Sequence, residues 1–451
     1  MSDEIQAEKT GGDSEEEPMT SGASAARHGR KIAVIVVAVC LVAAGVGVAI
    51  AESSGTSGAS TPEGAVSRLL AAADHSDLLG AIDAIAPGER TAIEPGLVGF
   101  VHQLERLDVL SVRTNLNDIG GLSLQFSNIK TATTMLSSRV AAVAITGGSV
   151  TESVEATKLP LGSFVSGLVQ SFLPSQTTKS ARSVSTGRGA IVTEEVGGTW
   201  YVSLGYTIAY DALRAAGRPT APPAVSEAVS ATGSSTPSEA VSALVMHVAD
   251  LDLRGLLGDL PPGEMGPLQS YAPLFLGKAE AELAKVRSRI GVTITSLTLT
   301  SSPIAGGTLV KASDLGFTAR VAGIPVSYKG GCLTYGYKGR SVRQCPTRAA
   351  SSAEIKKIIA TFPPALRGLV TRLVTIRPAV GFVTVEEGGR WFVSPVATLL
   401  DDMDVFLTVL RPGDLLAIAS LAENRTEAEA LAHSLEELLL GSLMGLAAAA
   451  D

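Results

Sequence analysis

The stretch TPEGAVSRLLAAADHSDLLGAIDAIAPGE at residues 61–89 decides the fold, because TPSEAVSALVMHVADLDLRGLLGDLPPGE at 236–264 repeats it. The two stretches match without a gap at 12 of 29 positions. Ala-rich segments can match by chance, but two further landmarks follow in the same order. Residues 122–129 match 297–304, and 196–203 match 387–394 with 16 extra residues in the second copy. A repeat of this length predicts two duplicated domains, not a solenoid.

Each copy begins like an amphipathic helix. Thr61 and Thr236 are followed by proline, which is typical of a helix N-cap and first helical position. The apolar residues behind them, including Leu69 and Leu244, recur at helical spacing and predict equivalent core positions. A short second helix is expected over Leu78–Ala84 in the first copy and Leu253–Leu260 in the second, with Asp77 and the aligned Asp252 as N-caps.

Each copy ends like a β-hairpin. Alternating residues lead into Gly-Gly and then into Trp200 or Trp391, the only two tryptophans of the chain. We predict that these tryptophans occupy equivalent places in the core, although a role as the wall of a cavity is an alternative. Helices on one face of a mainly antiparallel sheet give an α+β fold class.

The repeat sets the expected domain boundaries. They are a tail at 1–31, a membrane segment at 32–51, a linker at 52–60, a first α+β domain at 61–216, a linker at 217–235, a second α+β domain at 236–410 and a C-terminal helical region at 411–451. The two linkers are rich in Ser, Gly, Pro or Ala.

Residues 32–51, IAVIVVAVCLVAAGVGVAIA, form an uncharged run of 20 residues, which predicts a transmembrane helix about 30 Å long. Arg27, Arg30 and Lys31 precede it and Glu52 follows it, so the N-terminus is expected in the cytoplasm and the rest outside the cell membrane. A cleaved signal peptide and a lipoprotein site at Cys40 are the alternatives.

The first 26 residues contain seven acids and one base, and they include almost nothing that a core could bury. Such a segment is expected to be disordered. Its hydroxyls in or beside the acidic run, Thr10, Ser14, Thr20 and Ser21, are possible phosphorylation sites. A plain solubilising tail is the other interpretation.

Composition excludes several classes of protein. Apolar residues make up 45% of the 451-residue chain and the net charge is −8, so a collagen, a wholly disordered chain and a disulfide-dense mini-protein are excluded. The chain has no basic stripe that would neutralise phosphates, so nucleic acid is not an expected partner.

Cys332 and Cys345 lie within GGCLTYGYKGRSVRQCPT, a segment that alternates and turns near Gly339. A hairpin would place the two thiols opposite each other, and in an oxidising compartment they should form a disulfide. The pair falls where the second copy carries its extra residues, so the bridge is expected on a hairpin that the first copy lacks.

The opening helix TPEGAV or TPSEAV, the short second helix and the closing Gly-Gly hairpin with Trp resemble the NTF2-like, cystatin-like domains of actinobacterial membrane-anchored envelope proteins. This resemblance implies two curved sheets wrapped by helices, often around a cavity. It transfers no catalytic residue, because no position of this chain matches one by motif.

The sequence contains no metal-ligand spacing, phosphate-binding loop or nucleophile elbow, so no cofactor and no metal are expected. His75 and His102 could meet Asp77 or Asp108 as a general base, but ordinary surface or core histidines explain them more simply.

The leading hypothesis is therefore a non-enzymatic, single-pass membrane protein of the cell envelope that binds a partner or ligand through its outer domains. The alternatives are an enzyme or apolar-ligand carrier that uses a cavity, and a transmembrane signalling protein with a phosphorylated tail.

Overall fold

The structure is a computed structural model that describes residues 58–112, 114–163, 165–167, 178–183, 189–290, 292–319, 324–337, 340–345, 353–375 and 381–423. The predicted membrane segment 32–51 and the acidic tail lie outside the described residues. We divide the described chain into a first half, residues 58–216, and a second half, residues 217–423.

The first half places three helices before a five-stranded sheet and one helix after it. Every neighbouring strand pair is antiparallel, in the order β1-β2-β4-β5, with β3 on β2 beside β4. The elements are α1 Pro62–Asp74, α2 Leu78–Asp83, α3 Pro87–Arg106, β1 Leu122–Met135, β2 Val140–Val154, β3 Thr178–Ser183, β4 Ile191–Val196, β5 Thr199–Val202 and α4 Leu204–Ala215.

The second half repeats this order with additions. Its seven-stranded antiparallel sheet runs β10-β9-β8-β7-β11-β12, with β6 on β7. The elements are α5 Pro237–Asp250, α6 Leu253–Gly258, α7 Pro262–Tyr271, α8 Leu276–Ile290, β6 Val292–Ile304, β7 Gly307–Ala319, β8 Ile324–Lys329, β9 Cys332–Tyr337, β10 Arg340–Gln344, α9 Ala353–Thr361, α10 Arg367–Thr375, β11 Gly381–Glu387, β12 Arg390–Val393, α11 Pro395–Val409 and α12 Pro412–Glu423.

The helix starts are repeated in detail. Thr61 caps α1 and Thr236 caps α5 with nearly the same φ, −137° and −138°. Asp77 caps α2 and Asp252 caps α6, each accepting a hydrogen bond from the backbone N–H three residues later, at 2.9 and 3.0 Å. These side chains satisfy N–H groups that a helix leaves unpaired, which explains why the duplicated sequence keeps them.

The closing hairpins are also repeated. Trp200 exchanges two backbone hydrogen bonds with Ala59, at 2.9 and 2.8 Å. Trp391 makes the same two bonds with Ser234, both at 2.8 Å. The segment before each opening helix is thus held at the edge of its sheet by the tryptophan strand.

The matched residues of 122–129 and 297–304 do not occupy equivalent positions in their strands. Ile304 ends β6 and pairs with Gly307 across the turn, whereas Ile129 lies inside β1, before Met135. The two segments are similar because both have the composition of a β-strand. The matched residues lie at different positions along their strands.

The second half differs most by its extra hairpin of β9 and β10, which has no counterpart among the described strands of the first half. Cys332 and Cys345 form a disulfide at the base of this hairpin, with Cα atoms 4.2 Å apart. The predicted pairing is confirmed, because Gln344 pairs with Leu333 and so places the two cysteines opposite each other.

The two halves pack directly against each other, and two of the hydrophobic clusters contain residues of both. Tyr206 of α4 packs edge-on against Tyr271 of α7, with ring centroids 5.9 Å apart. The guanidinium of Arg106 at the end of α3 donates to the carbonyl oxygens of Leu407 and Leu410 at the end of α11, at 2.6 and 3.1 Å.

The segment 217–235, expected as a linker, packs closely against the second half. The backbone N–H of Val229, which is buried, donates to Gln269. The N–H of Thr232 donates to the carbonyl of Gly258 at 2.8 Å. Because these contacts satisfy its backbone, the segment is part of the second half and is not a free linker.

The predicted fold, a transmembrane helix followed by two tandem NTF2-like domains, is wrong, although the α+β class with antiparallel sheets is confirmed. None of the helices in the described part of the chain combines the length and the apolar character needed to cross a membrane. The longest of them, α3, has 20 residues but carries charges at both ends and in its middle. The halves also form one packed body and not a pair of tandem modules.

The halves meet at equivalent glycines, Gly88 at the start of α3 and Gly263 at the start of α7. A Cβ on Gly88 would lie 2.3 Å from the Cα of Gly263, and a Cβ on Gly263 would lie 3.0 Å from the Cα of Gly88. Contact between the same residue of both copies is typical of a two-fold axis. The halves are therefore packed as a pseudo-dimer within one chain, and we call this contact region the seam.

The close contact between Gly88 and Gly263 predicts that Gly88→Ala is destabilising. Overpacking of a close backbone contact should lower the free energy of unfolding by about 1–3 kcal/mol, measured by chemical denaturation. Gly266→Ala in α7 is the matched control, since its Cβ would meet nothing within 4 Å. The control should be neutral or stabilising by up to about 1 kcal/mol. Equal stability of both variants would contradict the close contact between Gly88 and Gly263.

Candidate functional site

The seam contains two buried carboxylates at equivalent positions of the repeat, Glu89 in α3 and Glu264 in α7. Only 5% of Glu89 and 6% of Glu264 is exposed. A charged side chain is rarely buried to this extent without partners. Both belong to the identical Pro-Gly-Glu that ends the repeated stretch.

Glu89 is held by the first turn of α4. The hydroxyl of Ser203 donates to its Oε1 at 2.7 Å, and the backbone N–H of Gly205 donates to the same oxygen at 2.9 Å. The N–H of Leu204 donates to Oε2 at 2.7 Å. A carboxylate at a helix N-terminus is stabilised by the unpaired N–H groups and by the helix dipole.

Glu264 is held in the same way by α11. The hydroxyl of Ser394 donates to its Oε2 at 2.5 Å, and the N–H of Val396 donates to Oε1 at 2.8 Å. Pro395 stands where the first half has Leu204, and a proline has no N–H to donate. Glu264 therefore accepts one backbone bond fewer than Glu89.

Two threonines fix these helices on the sheets. The hydroxyl of Thr207 accepts a hydrogen bond from the N–H of Val192 in β4, and that of Thr398 accepts one from Val383 in β11, both at 2.9 Å. Each helix start, and the carboxylate on it, is thus positioned by its own sheet.

An apolar pocket of about 450 Å³ opens at the seam between α4 and α7. Both Glu89 and Glu264 line it, and most of its wall is aliphatic, formed by Ile93, Leu204, Ile208, Met265, Leu268 and Val396. Ile208 is 71% exposed, and Leu204 and Leu268 are each 40% exposed, so the mouth of the pocket is apolar as well. The volume is in the range of small-molecule sites, roughly 300–1,000 Å³.

Burial is the main electrostatic influence at the seam. It raises the pKa of Glu89 and of Glu264, although hydrogen bonds from Ser203 and Ser394 oppose the shift. Burial also raises the pKa of Glu387, which accepts a hydrogen bond from the N–H of Gly263 at 2.9 Å.

Glu194 on β4 has the strongest shift of these groups. Burial, followed by the charge of Glu89, raises its pKa to about 7, and the nearby charge of Arg139 opposes the rise. Burial thus raises the pKa of several acids around the seam.

The structure does not bring the candidate histidines and acids together. His75 contacts the carbonyl of Ala71 at 2.7 Å, and His102 lies 3.4 Å from Glu105 on the same helix. Asp77 caps α2, and Asp108 accepts hydrogen bonds from Ser163. None of these contacts joins either histidine to Asp77 or Asp108.

Sequence reasoning missed a histidine–aspartate pair in the second half. His247 Nδ1 lies 2.6 Å from Asp259 Oδ2, and Asp259 is 3% exposed. His247 closes the last turn of α5, while Asp259 follows α6, so the pair holds two helices together. Burial raises the pKa of Asp259.

The residues predicted as equivalent core positions lie on corresponding elements. Leu69 and Trp200 pack in one cluster of the first half, and Leu244 and Trp391 pack in one cluster of the second. The possible phosphorylation sites Thr10, Ser14, Thr20 and Ser21 lie outside the described residues and stay predictions.

Sequence reasoning also missed Glu89 and Glu264. The available signal was their identity in the repeat, where most other identical residues are caps or apolar. Within the part of the chain that the structure describes, no group of three or more His, Cys, Asp or Glu side chains is arranged to hold a metal ion.

Comparison with known proteins finds no match to this chain among protein-family models, curated proteins or solved structures.

The raised pKa of Glu194 predicts a pH-dependent stability. The protonated carboxyl of Glu194 makes its full contribution to folding stability below its ordinary pKa of 4.5. This contribution is lost as the pH rises through about 7, where the carboxyl ionises in the folded protein. Glu194→Gln resembles the protonated form, so the variant should gain stability over the wild type at pH 8, by at most about 3 kcal/mol, but not at pH 4.

Thermal unfolding at pH 4, 6 and 8 measures this effect. Glu194→Asp is the control, because it keeps an ionisable carboxyl at the same place and should still lose stability between pH 4 and pH 8. A Gln variant with the same pH profile as the wild type would contradict the assignment.

Proposed function

We propose that this protein is a non-enzymatic binding protein that holds an apolar ligand in the seam pocket. The observation that carries the proposal is the pocket itself, a space of about 450 Å³ with aliphatic walls and an exposed aliphatic mouth. Exposed apolar groups around a concave site favour a ligand that removes them from water.

A structural role explains the burial of the two carboxylates in the pocket without a reaction. All four of their oxygens accept hydrogen bonds from a serine hydroxyl or a backbone N–H. A carboxylate has about four lone-pair positions, of which Glu89 uses three and Glu264 uses two at the helix starts. These bonds stabilise the two buried carboxylates where they lie.

Substitution of Ile208 tests the proposal. The full chain should bind the neutral dye Nile red with saturable fluorescence, and Ile208→Asp should weaken this binding at least tenfold by placing a charge in the apolar mouth. Leu399→Asp is the matched control. Leu399 is the equivalent residue of α11 and is 60% exposed, but it does not line the pocket.

Both variants change exposed residues, so both should keep the unfolding temperature of the wild type within a few degrees. Absence of saturable binding to the wild type, or equal affinity of the two variants, would overturn the proposal.

We also propose that the second half works outside the cytoplasm. The supporting observation is the Cys332–Cys345 disulfide, because such bonds persist mainly in oxidising compartments. Cells that make the full chain can be quenched in acid and alkylated under denaturing conditions. Mass spectrometry should find both cysteines unmodified unless a reductant is added first, and alkylation of both without reductant would contradict this location.

A further inference from the structure

We propose that the seam pocket selects single-chain amphiphiles with an uncharged or cationic head and rejects those with an anionic head. The inference rests on the proposed function and adds to it the chemical class of the ligand.

The tail preference follows from the shape of the wall. Ile93, Ile208 and Leu268 are aliphatic, and none of the described residues that line the pocket is aromatic. A flexible hydrocarbon chain can follow such a surface, and each methylene that it buries adds to the affinity. A planar ring would find no aromatic partner on which to stack.

The head preference follows from charge. Glu89 and Glu264 are the charged residues in the described lining, and both are acidic. None of the ion pairs in the described parts of the chain includes either of them, so their partners are neutral hydroxyls and N–H groups. A ligand anion in this pocket would meet two carboxylates and no cationic side chain of the wall.

The low polarity of the wall strengthens this selection. Charges interact more strongly where apolar groups exclude water than at an open surface. Repulsion of an anion is therefore expected to be larger here than the same two carboxylates would cause on an exposed face.

The test compares ligands that share one tail. Dodecanol, dodecyltrimethylammonium and dodecanoate all carry a 12-carbon chain. Each is titrated against Nile red bound to the full chain at pH 8, the alcohol below its solubility limit and the two ions below their micelle concentrations. We expect the alcohol and the cation to displace the dye, and dodecanoate to bind at least tenfold more weakly than dodecanol. Affinity of dodecanoate within threefold of dodecanol would overturn the inference and leave the proposed function standing.

Failure of all three compounds to displace the dye would instead count against the proposed function. Removal of both charges in Glu89→Gln/Glu264→Gln should bring dodecanoate to within threefold of dodecanol. Since both residues hold helix starts, the wild type at 1 M NaCl provides a second measurement that needs no variant. There the difference between dodecanol and dodecanoate should shrink, and an unchanged difference would show that charge is not its cause.

Discussion

A carboxylate buried against the first turn of a helix is the contact on which the architecture depends, and it occurs twice. Glu89 accepts from three donors at the start of α4, and Glu264 accepts from two at the start of α11. Each carboxylate sits on one helix of the seam and holds another. Loss of either partner would leave a buried charge or several buried N–H groups without hydrogen bonds, which is more damaging than loss of an exposed pair.

These contacts place the starts of four helices in a small volume, and this crowding explains the glycines beside them. Gly88 and Gly263 precede the two glutamates directly, and a side chain on Gly88 would collide with the backbone of the other half. The repeated Pro-Gly-Glu is thus a unit in which proline starts the helix, glycine permits the crossing and glutamate holds the next helix. The extra β9–β10 hairpin joins the far edge of the second sheet, where an insertion leaves the seam undisturbed.

The sequence predicts the features that depend on neighbouring residues. Thr61 and Asp77 act on helices that begin at the next residue, and Cys332 faces Cys345 across a short hairpin, so a pattern of a few residues is sufficient. The seam depends on pairs such as Tyr206 and Tyr271, whose contact no local pattern encodes. For this reason the duplication was predicted, but the packing of its copies into one pseudo-dimer was not.

The pocket exists because the duplication is imperfect. In the first half α3 continues for 20 residues and covers α11, with Gly96 close to Leu400, and the cavity there is only about 130 Å³. The equivalent α7 ends after 10 residues at Tyr271. The helix that crosses α4 is therefore half as long as the helix that crosses α11. The cavity on the side of the shorter helix is about 450 Å³, so the larger space accompanies the place where the two copies differ in helix length.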